Sequence, residues 1–243
     1  MNAINAILSF LTIIPTKSYD LKEIAENLYL FPIAGLIIGL VGVIAFLPLH
    51  SIIEGFMIIV ALLIITGGHH TDALADFADG LMVKGSREKK KKVMHDPTTG
   101  SIGVTAIALY LIGSVIALSF LDNLELFLAV IISEILAKYS MVLLAYLGKP
   151  AWEGMGSLFR IDKKMFIIST IITIVIIYLL ADIDAIYPFI LTIILTIIIL
   201  LMSNKAFGGI SGDVFGANNE IVRLANYILF AHLAFTPFLV NLL

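Results

Sequence analysis

Long apolar stretches recur along this chain, interrupted by short polar connections. They lie near residues 30–48, 51–67, 102–121, 124–147, 165–181, 185–203 and 222–242. A helix needs about 20 such residues to cross a bilayer, so the pattern predicts an all-α, polytopic membrane helix bundle of about seven transmembrane helices. Residues 1–14 form an eighth apolar piece ending at Pro15, too short to cross, and are expected to be a short helix lying along one leaflet. They carry neither a basic region nor a small-residue cleavage site and do not read as a signal peptide.

Composition agrees: 60% of residues are hydrophobic, 14% are charged, and the mean hydropathy is +1.07, outside the soluble range. Cysteine is absent, which excludes disulfides, thiol catalysis and thiolate metal sites. The net charge of −3 matters less than its distribution. Connections near His50, Asp122 and Asp182 contain no Lys or Arg. The alternate connections, with the stretch before the first span, hold or border every basic residue except Lys138, Arg223 being counted at the edge of the last span. This asymmetry places the basic loops in the cytoplasm, the C-terminus outside, and the protein in the cell membrane. With no repeat or appended soluble region, residues 1–243 read as one integral-membrane domain, without a nucleic-acid partner and with oligomerisation left open.

The stretch GGHHTDALADFADG, Gly67 to Gly80, follows the second span. Helical from Asp72 onward, it would set Asp72, Asp76 and Asp79 within about 60° on one face, with Leu74, Phe77 and Leu81 opposite. Neighbouring carboxylates repel. A hard divalent cation, most simply Mg²⁺ bridging to phosphate oxygens, gives them a purpose. A solvated acidic first turn on a helix dipole is the plainer alternative.

Three connections on this side carry further polar groups. The first holds Lys84, Arg87 and the run Lys89 to Lys92, a headgroup anchor or a phosphate contact. It closes with HDPTTGSIG, where Gly100 and Gly103 start the next span and offer backbone amides to an anion. The second, KPAWEGMGSLFR, places Trp152 as an interfacial anchor and leaves Glu153, Gly154 and Gly156 open. The third, FGGISGDVFGANNE, reads as a polar loop. Its Asp213 is a further metal-ligand candidate, Ser211 and the glycine amides are phosphate contacts, and Glu220 shares Asp213's face if the stretch is helical. Within the bilayer, Glu134 and Lys138 are four residues apart; Glu134 reads as half of an ion pair, and Lys138 as a group reaching toward bound phosphate.

These motifs resemble those of the cobalamin synthases, the adenosylcobinamide-GDP ribazoletransferases. GGHHTDALADFADG is similar to that family's GG-x-H-x-D-G-x-A-D-x-x-D-G, HDPTTGSIG to D-x-x-x-G-x-x-G, EGMG to G-[LM]-G, and GGISGDVFGA to GG-x-x-GD-x-x-GA, in the same order over essentially the whole chain. The resemblance implies a multi-pass, Mg²⁺-dependent enzyme joining adenosylcobinamide-GDP to α-ribazole or its 5′-phosphate with release of GMP. It implies catalytic roles for His70, Asp72, Asp76 and Asp79, with the helix beginning only after His70, and substrate contacts at Gly67, Gly68, Asp96, Gly100, Gly103, Gly154, Gly156, Gly209 and Gly212. Ala73 stands where the family has Gly, and Thr98 where it commonly has Arg, a place for which Arg87 or a nearby Lys is the substitute. Two other readings stay open. A CDP-alcohol phosphotransferase also groups acids at a membrane face, but its D-x-x-D-G-x-x-A-R spacing is absent. A transporter would concentrate polar groups at mid-membrane.

Overall fold

The computed structural model describes residues 3–14, 20–44, 51–121 and 123–240. Among them the chain is helical apart from turns and one isolated parallel bridge between Pro150 and Ile210. In order the helices are α1 (Ala3–Leu11), α2 (Leu21–Glu26), α3 (Phe31–Ile44), α4 (Ser51–Thr66), α5 (His69–Met82), α6 (Arg87–Met94), α7 (Ser101–Leu118), α8 (Asn123–Leu147), α9 (Met155–Leu158), α10 (Lys163–Ala181), α11 (Ile186–Phe207) and α12 (Gly212–Val240).

Helix α8 is the axis. Some 89% of its apolar span is buried, against 28% for α7, 17% for α10 and 33% for α11. The outer helices turn side chains such as Leu109, Ile112, Ile171, Leu179 and Leu201 outward, the arrangement expected of helices solvated by hydrocarbon. Helix α3 approaches α8 closely because Gly35 and Gly39 face it: a Cβ at Gly35 would lie 2.5 Å from the Glu134 carbonyl oxygen. Small residues at such crossings let backbones meet in membrane-type bundles.

Among the described residues four helices, α7, α8, α10 and α11, are long and apolar enough to cross a membrane; α4 with α5 makes a fifth if that pair is one broken span. The pair bends by 92°, because Gly67 and Gly68 adopt left-handed φ values of 65° and 69° and their amides close back on Ile64 and Leu63. Helix α3 is short at 14 residues, and the expected span over 30–48 continues into residues 45–48, outside those described. The last expected span likewise includes residues 241 and 242. Helix α12 is 29 residues long and begins well before the apolar stretch at 222.

Two local expectations change. Helix α5 starts at His69 with Gly68 as its cap, not after His70, since the two left-handed glycines already complete the turn. The stretch expected to be a loop at 207–220 is helical from Gly212 onward, and Val214 to Glu220 are all buried. Its small residues serve packing: a Cβ on Gly216 would collide with Ala73 of α5.

Candidate active site

The ends of α4, α8 and α11 and the starts of α5, α7 and α12 meet at one end of the bundle. Ile13 donates its amide to the Ile65 carbonyl at 2.8 Å, drawing the segment after α1 over the end of α4. Ala151 and Ile210 exchange backbone bonds through Ile210 O and Lys149 O, at 2.9 Å each, which ties the second connection to the third. Gly209 is required there, because a Cβ would meet the Lys149–Ala151 backbone.

These elements enclose a cavity of about 430 Å³. His69, His70 and Ala73 come from α5, His95 follows α6, Trp152, Glu153, Gly154 and Gly156 come from the second connection, and Ser211, Gly212 and Asp213 from the third. Trp152, read from sequence as a membrane anchor, is part of this wall, with its ring edge-on to His95 at 5.6 Å and Lys91 Nζ 5.2 Å above its centroid.

On helix α5 the expected apolar face is buried at Leu74 and Phe77 and partly buried at Leu81, while Asp72 is exposed and Asp76 and Asp79 are partly exposed. Asp76 is pushed up to about 6, first by burial and then by the negative charges of Asp72, Asp213 and Asp79. Burial also raises Asp213, partly offset by nearby His95. Carboxylates of α5 and α12 thus share one electrostatic environment although they are distant in sequence. Ser211 donates to Asp213 at 3.3 Å and accepts the Val214 amide, capping α12.

Asp79 is differently placed. Its Oδ2 accepts the Gly100 amide at 2.7 Å and its Oδ1 the Gly103 amide at 2.9 Å. The amides expected to hold an anion at the start of α7 therefore hold this carboxylate, and a Cβ on Gly103 would fall 2.5 Å from it. Asp96 folds back on Thr98, accepting its amide at 2.9 Å. Lys90 caps the end of α5 by donating to the Gly80, Leu81 and Val83 carbonyls at 3.2, 2.9 and 2.6 Å. Arg87 lies against Gly208, where a Cβ would approach its guanidinium to 2.8 Å.

Beneath the cavity lies a buried ionic network. Lys138 donates to Glu134 at 3.3 Å and to Asn219 at 2.8 Å. Arg223 pairs with Glu134 at 2.5 Å and Glu220 at 2.7 Å, and donates to Tyr110 at 2.8 Å. Lys138 is fully buried in this network, so neither it nor Glu220 forms part of the cavity wall. Arg223, counted from sequence with the basic loops, sits about three turns into α12 and is 1% exposed. Its spacing of three from Glu220 is the available signal, legible only once 212–223 is known to be helical. Above the network, His70 Nδ1 lies 4.0 Å from Glu220 Oε1 without a hydrogen-bond partner. Burial, then the charges of Lys138 and Arg223, lowers its pKa well below the usual imidazole range.

Among the described residues, no three His, Asp or Glu side chains converge tightly enough to form a ready-made ion shell. The donor set is nonetheless all hard oxygen, and its members repel one another. That fits Mg²⁺, which usually takes one or two carboxylates and completes its shell with water and substrate phosphate.

Fold and site together define a helical protein of the multi-pass membrane type, with a recess bordered by carboxylates at one end. The chain belongs to the cobalamin-5-phosphate synthase family, whose model matches residues 3–231. It is 33% identical to an adenosylcobinamide-GDP ribazoletransferase of Archaeoglobus fulgidus over 93% of this chain and 95% of that one. It is 34% identical to that of Pyrococcus abyssi, covering 92% and 95%, and 33% to that of Clostridium tetani, covering 94% and 96%. No solved structure matches it.

Proposed function

We propose that the chain is an adenosylcobinamide-GDP ribazoletransferase. It joins the activated corrinoid to α-ribazole or its 5′-phosphate and releases GMP, at the nucleotide-loop stage of cobalamin synthesis. The reading is carried by the family match over nearly the whole chain, and is supported by Asp213 of α12 and Asp72 of α5 both lying near enough to Asp76 to raise its pKa. The ribazole hydroxyl oxygen bonds to the phosphorus next to the corrinoid, the bond to GMP breaks, and the hydroxyl proton passes to a base.

Asp72, Asp76 and Asp213 are the proposed Mg²⁺ ligands, with Asp79 at the margin because its oxygens already cap α7. Bound there, Mg²⁺ would neutralise charge on the diphosphate. Gly156 lets the second connection pack closely on the third at the cavity wall, where a Cβ would lie 2.8 Å from the Ser211 backbone. One of the carboxylates or His70 accepts the hydroxyl proton; Asp76, pushed up to about 6, is better matched to that role than His70, whose basicity burial weakens. The shared charge environment of α5 and α12 favours this reading over a transporter, and the family match favours it over the CDP-alcohol class.

The site end is proposed to face the cytoplasm, with seven spans and an outer C-terminus, on the strength of the basic connections. The test is GMP release from adenosylcobinamide-GDP by the purified protein in lipid nanodiscs. Release should require Mg²⁺ together with α-ribazole or its 5′-phosphate, and its absence with Mg²⁺ and each acceptor in turn would refute the assignment.

A further inference from the structure

Helix α6 turns three sides to different surroundings. Lys90 donates to three carbonyls at the end of α5, and Met94, four residues on, is buried where a Cβ on Gly80 would meet it. Lys89 and Lys92 are exposed. Arg87, Lys91 and His95 recur at intervals of four and share a third side, which is turned to the second and third connections. Arg87 lies against Gly208. Lys91 Nζ lies 5.2 Å above the Trp152 ring, and His95 meets the same ring edge-on at 5.6 Å.

This third side is a row of donors without counter-charge: among the described residues none of the three is in an ion pair. The cation–π contact with Trp152 orders the half-buried Lys91 and leaves its ammonium hydrogens for an acceptor on the side away from the ring. The row also borders the cavity next to the proposed metal ligands. His95 lines that cavity with Asp213, and its charge acts on the Asp213 carboxylate. Glu153, the other acid of the lining, is exposed.

The two acceptors of the transferase reading differ by one phosphate. That phosphate and the hydroxyl that reacts are carried by the same ribose, so whatever recognises the phosphate must lie beside the metal carboxylates without being one of them. Lys91 and His95 occupy such a place. Lysine binds phosphate as a point charge, and an imidazole donates a hydrogen bond whether neutral or charged.

Resting on the transferase reading, we propose that Lys91 and His95 form a phosphate subsite that selects α-ribazole 5′-phosphate over α-ribazole. Trp152 is the platform that orders Lys91, and Arg87, one turn back, adds positive charge to the approach.

The test compares the two acceptors in nanodiscs of zwitterionic lipid. The unaltered protein should show a higher kcat/KM for α-ribazole 5′-phosphate by about tenfold, and Lys91→Gln should abolish that preference, the size of a lost bond to a charged group. Its kcat/KM for α-ribazole and its KM for adenosylcobinamide-GDP should stay within about twofold. Lys91→Arg, which keeps the charge, should retain most of the preference. Lys205→Gln, which removes a charge from the last turn of α11, should leave it intact. Equal use of both acceptors by the unaltered protein would overturn the subsite. So would a Lys91→Gln defect shared by both acceptors, confined to adenosylcobinamide-GDP, or seen only with anionic lipid, and so would an equal loss from Lys205→Gln. Calorimetry in the same nanodiscs reads binding without turnover: α-ribazole 5′-phosphate should bind about tenfold more tightly than α-ribazole, and no more tightly in Lys91→Gln. That binding pattern without any GMP release would overturn the transferase reading and leave the subsite standing.

Discussion

Asp79 tests whether the acidic stretch is one functional unit or two. The family motif groups it with Asp72 and Asp76, but both of its carboxylate oxygens are bonded to amides at the start of α7, at 2.7 and 2.9 Å. An asparagine there keeps one acceptor and turns an NH₂ toward the other amide. The loss is one charge-assisted bond and the favourable interaction with the helix dipole. Such bonds contribute about 1.5–3 kcal/mol when well buried, and caps about 0.5–2 kcal/mol. Because Asp79 is partly exposed, the lower part of those ranges applies: about 1–2 kcal/mol for Asp79→Asn, and about twice that for Asp79→Ala, which removes both bonds.

In a chain of this size 1 kcal/mol moves the midpoint by about 2–4 °C, so Asp79→Asn should unfold roughly 2–8 °C below the unaltered protein. The assay is thermal unfolding in nanodiscs, with and without saturating Mg²⁺. The drop should be equal in both conditions, because the lost contacts are within the protein. Asp72→Asn and Asp76→Asn should show the opposite pattern, with little loss in the absence of metal and a loss of the stabilisation that Mg²⁺ gives. A normal midpoint for Asp79→Asn, combined with a missing Mg²⁺ response, would show that its carboxylate serves an ion and not the helix.

Asp76 supplies a pH signature. Its pKa is raised from 3.8 to about 6, so its ionisation opposes folding: without metal the penalty is absent below about pH 4, grows as pH rises to about 6, and is full above that. Asp76→Asn should therefore raise the metal-free unfolding midpoint at about pH 8 and leave it unchanged at about pH 4; equal shifts at both would exclude this origin. Arg223→Met leaves Glu220 in the core without its cation and Glu134 with Lys138 alone, and should cost about 3–5 kcal/mol, read as a large fall in midpoint or in recovered folded protein, whereas a stable variant would show that the network is dispensable. Gly216→Val should separate α12 from α5 and abolish GMP release, and near-normal turnover would mean that this contact does not hold the site. Since the chain has no cysteine, Glu88→Cys and Asp184→Cys report topology directly. In intact cells an impermeant maleimide should label Asp184→Cys alone, and the reverse pattern would invert the proposed orientation.

The helices were legible where hydrophobicity alone decides them: α7, α8, α10 and α11 lie on the predicted stretches to within a few residues. Legibility failed where polar residues are buried. Asn218, Asn219, Glu220 and Arg223 look like loop chemistry in one dimension, yet each is 0–1% exposed. Their partners are on α8, α7 and α11, and nothing local to 207–220 announces those partners. The same applies to Phe10 in the cavity wall. An apolar residue in an apolar segment carries no mark of the site it borders.

Asp79 and His70 show the limit from the other side, since a motif names residues without dividing their labour. Asp72, Asp76 and Asp79 are equivalent by spacing, and only the backbone amides of Gly100 and Gly103 separate them. His69 and His70 are adjacent, but one is exposed and the other faces Glu220 across 4.0 Å. The difference follows from where the helix begins. With Gly67 and Gly68 left-handed, α5 starts at His69, which directs His70 inward over the Glu220–Arg223–Glu134 network and Asp72 outward. Replacing Gly68 by a β-branched residue would strain that turn through its positive φ even though no atom lies within 4 Å of the added Cβ. A steric argument alone would call Gly68 free to vary; the backbone conformation makes it the residue that sets which of the two cavity histidines is buried over the ionic network.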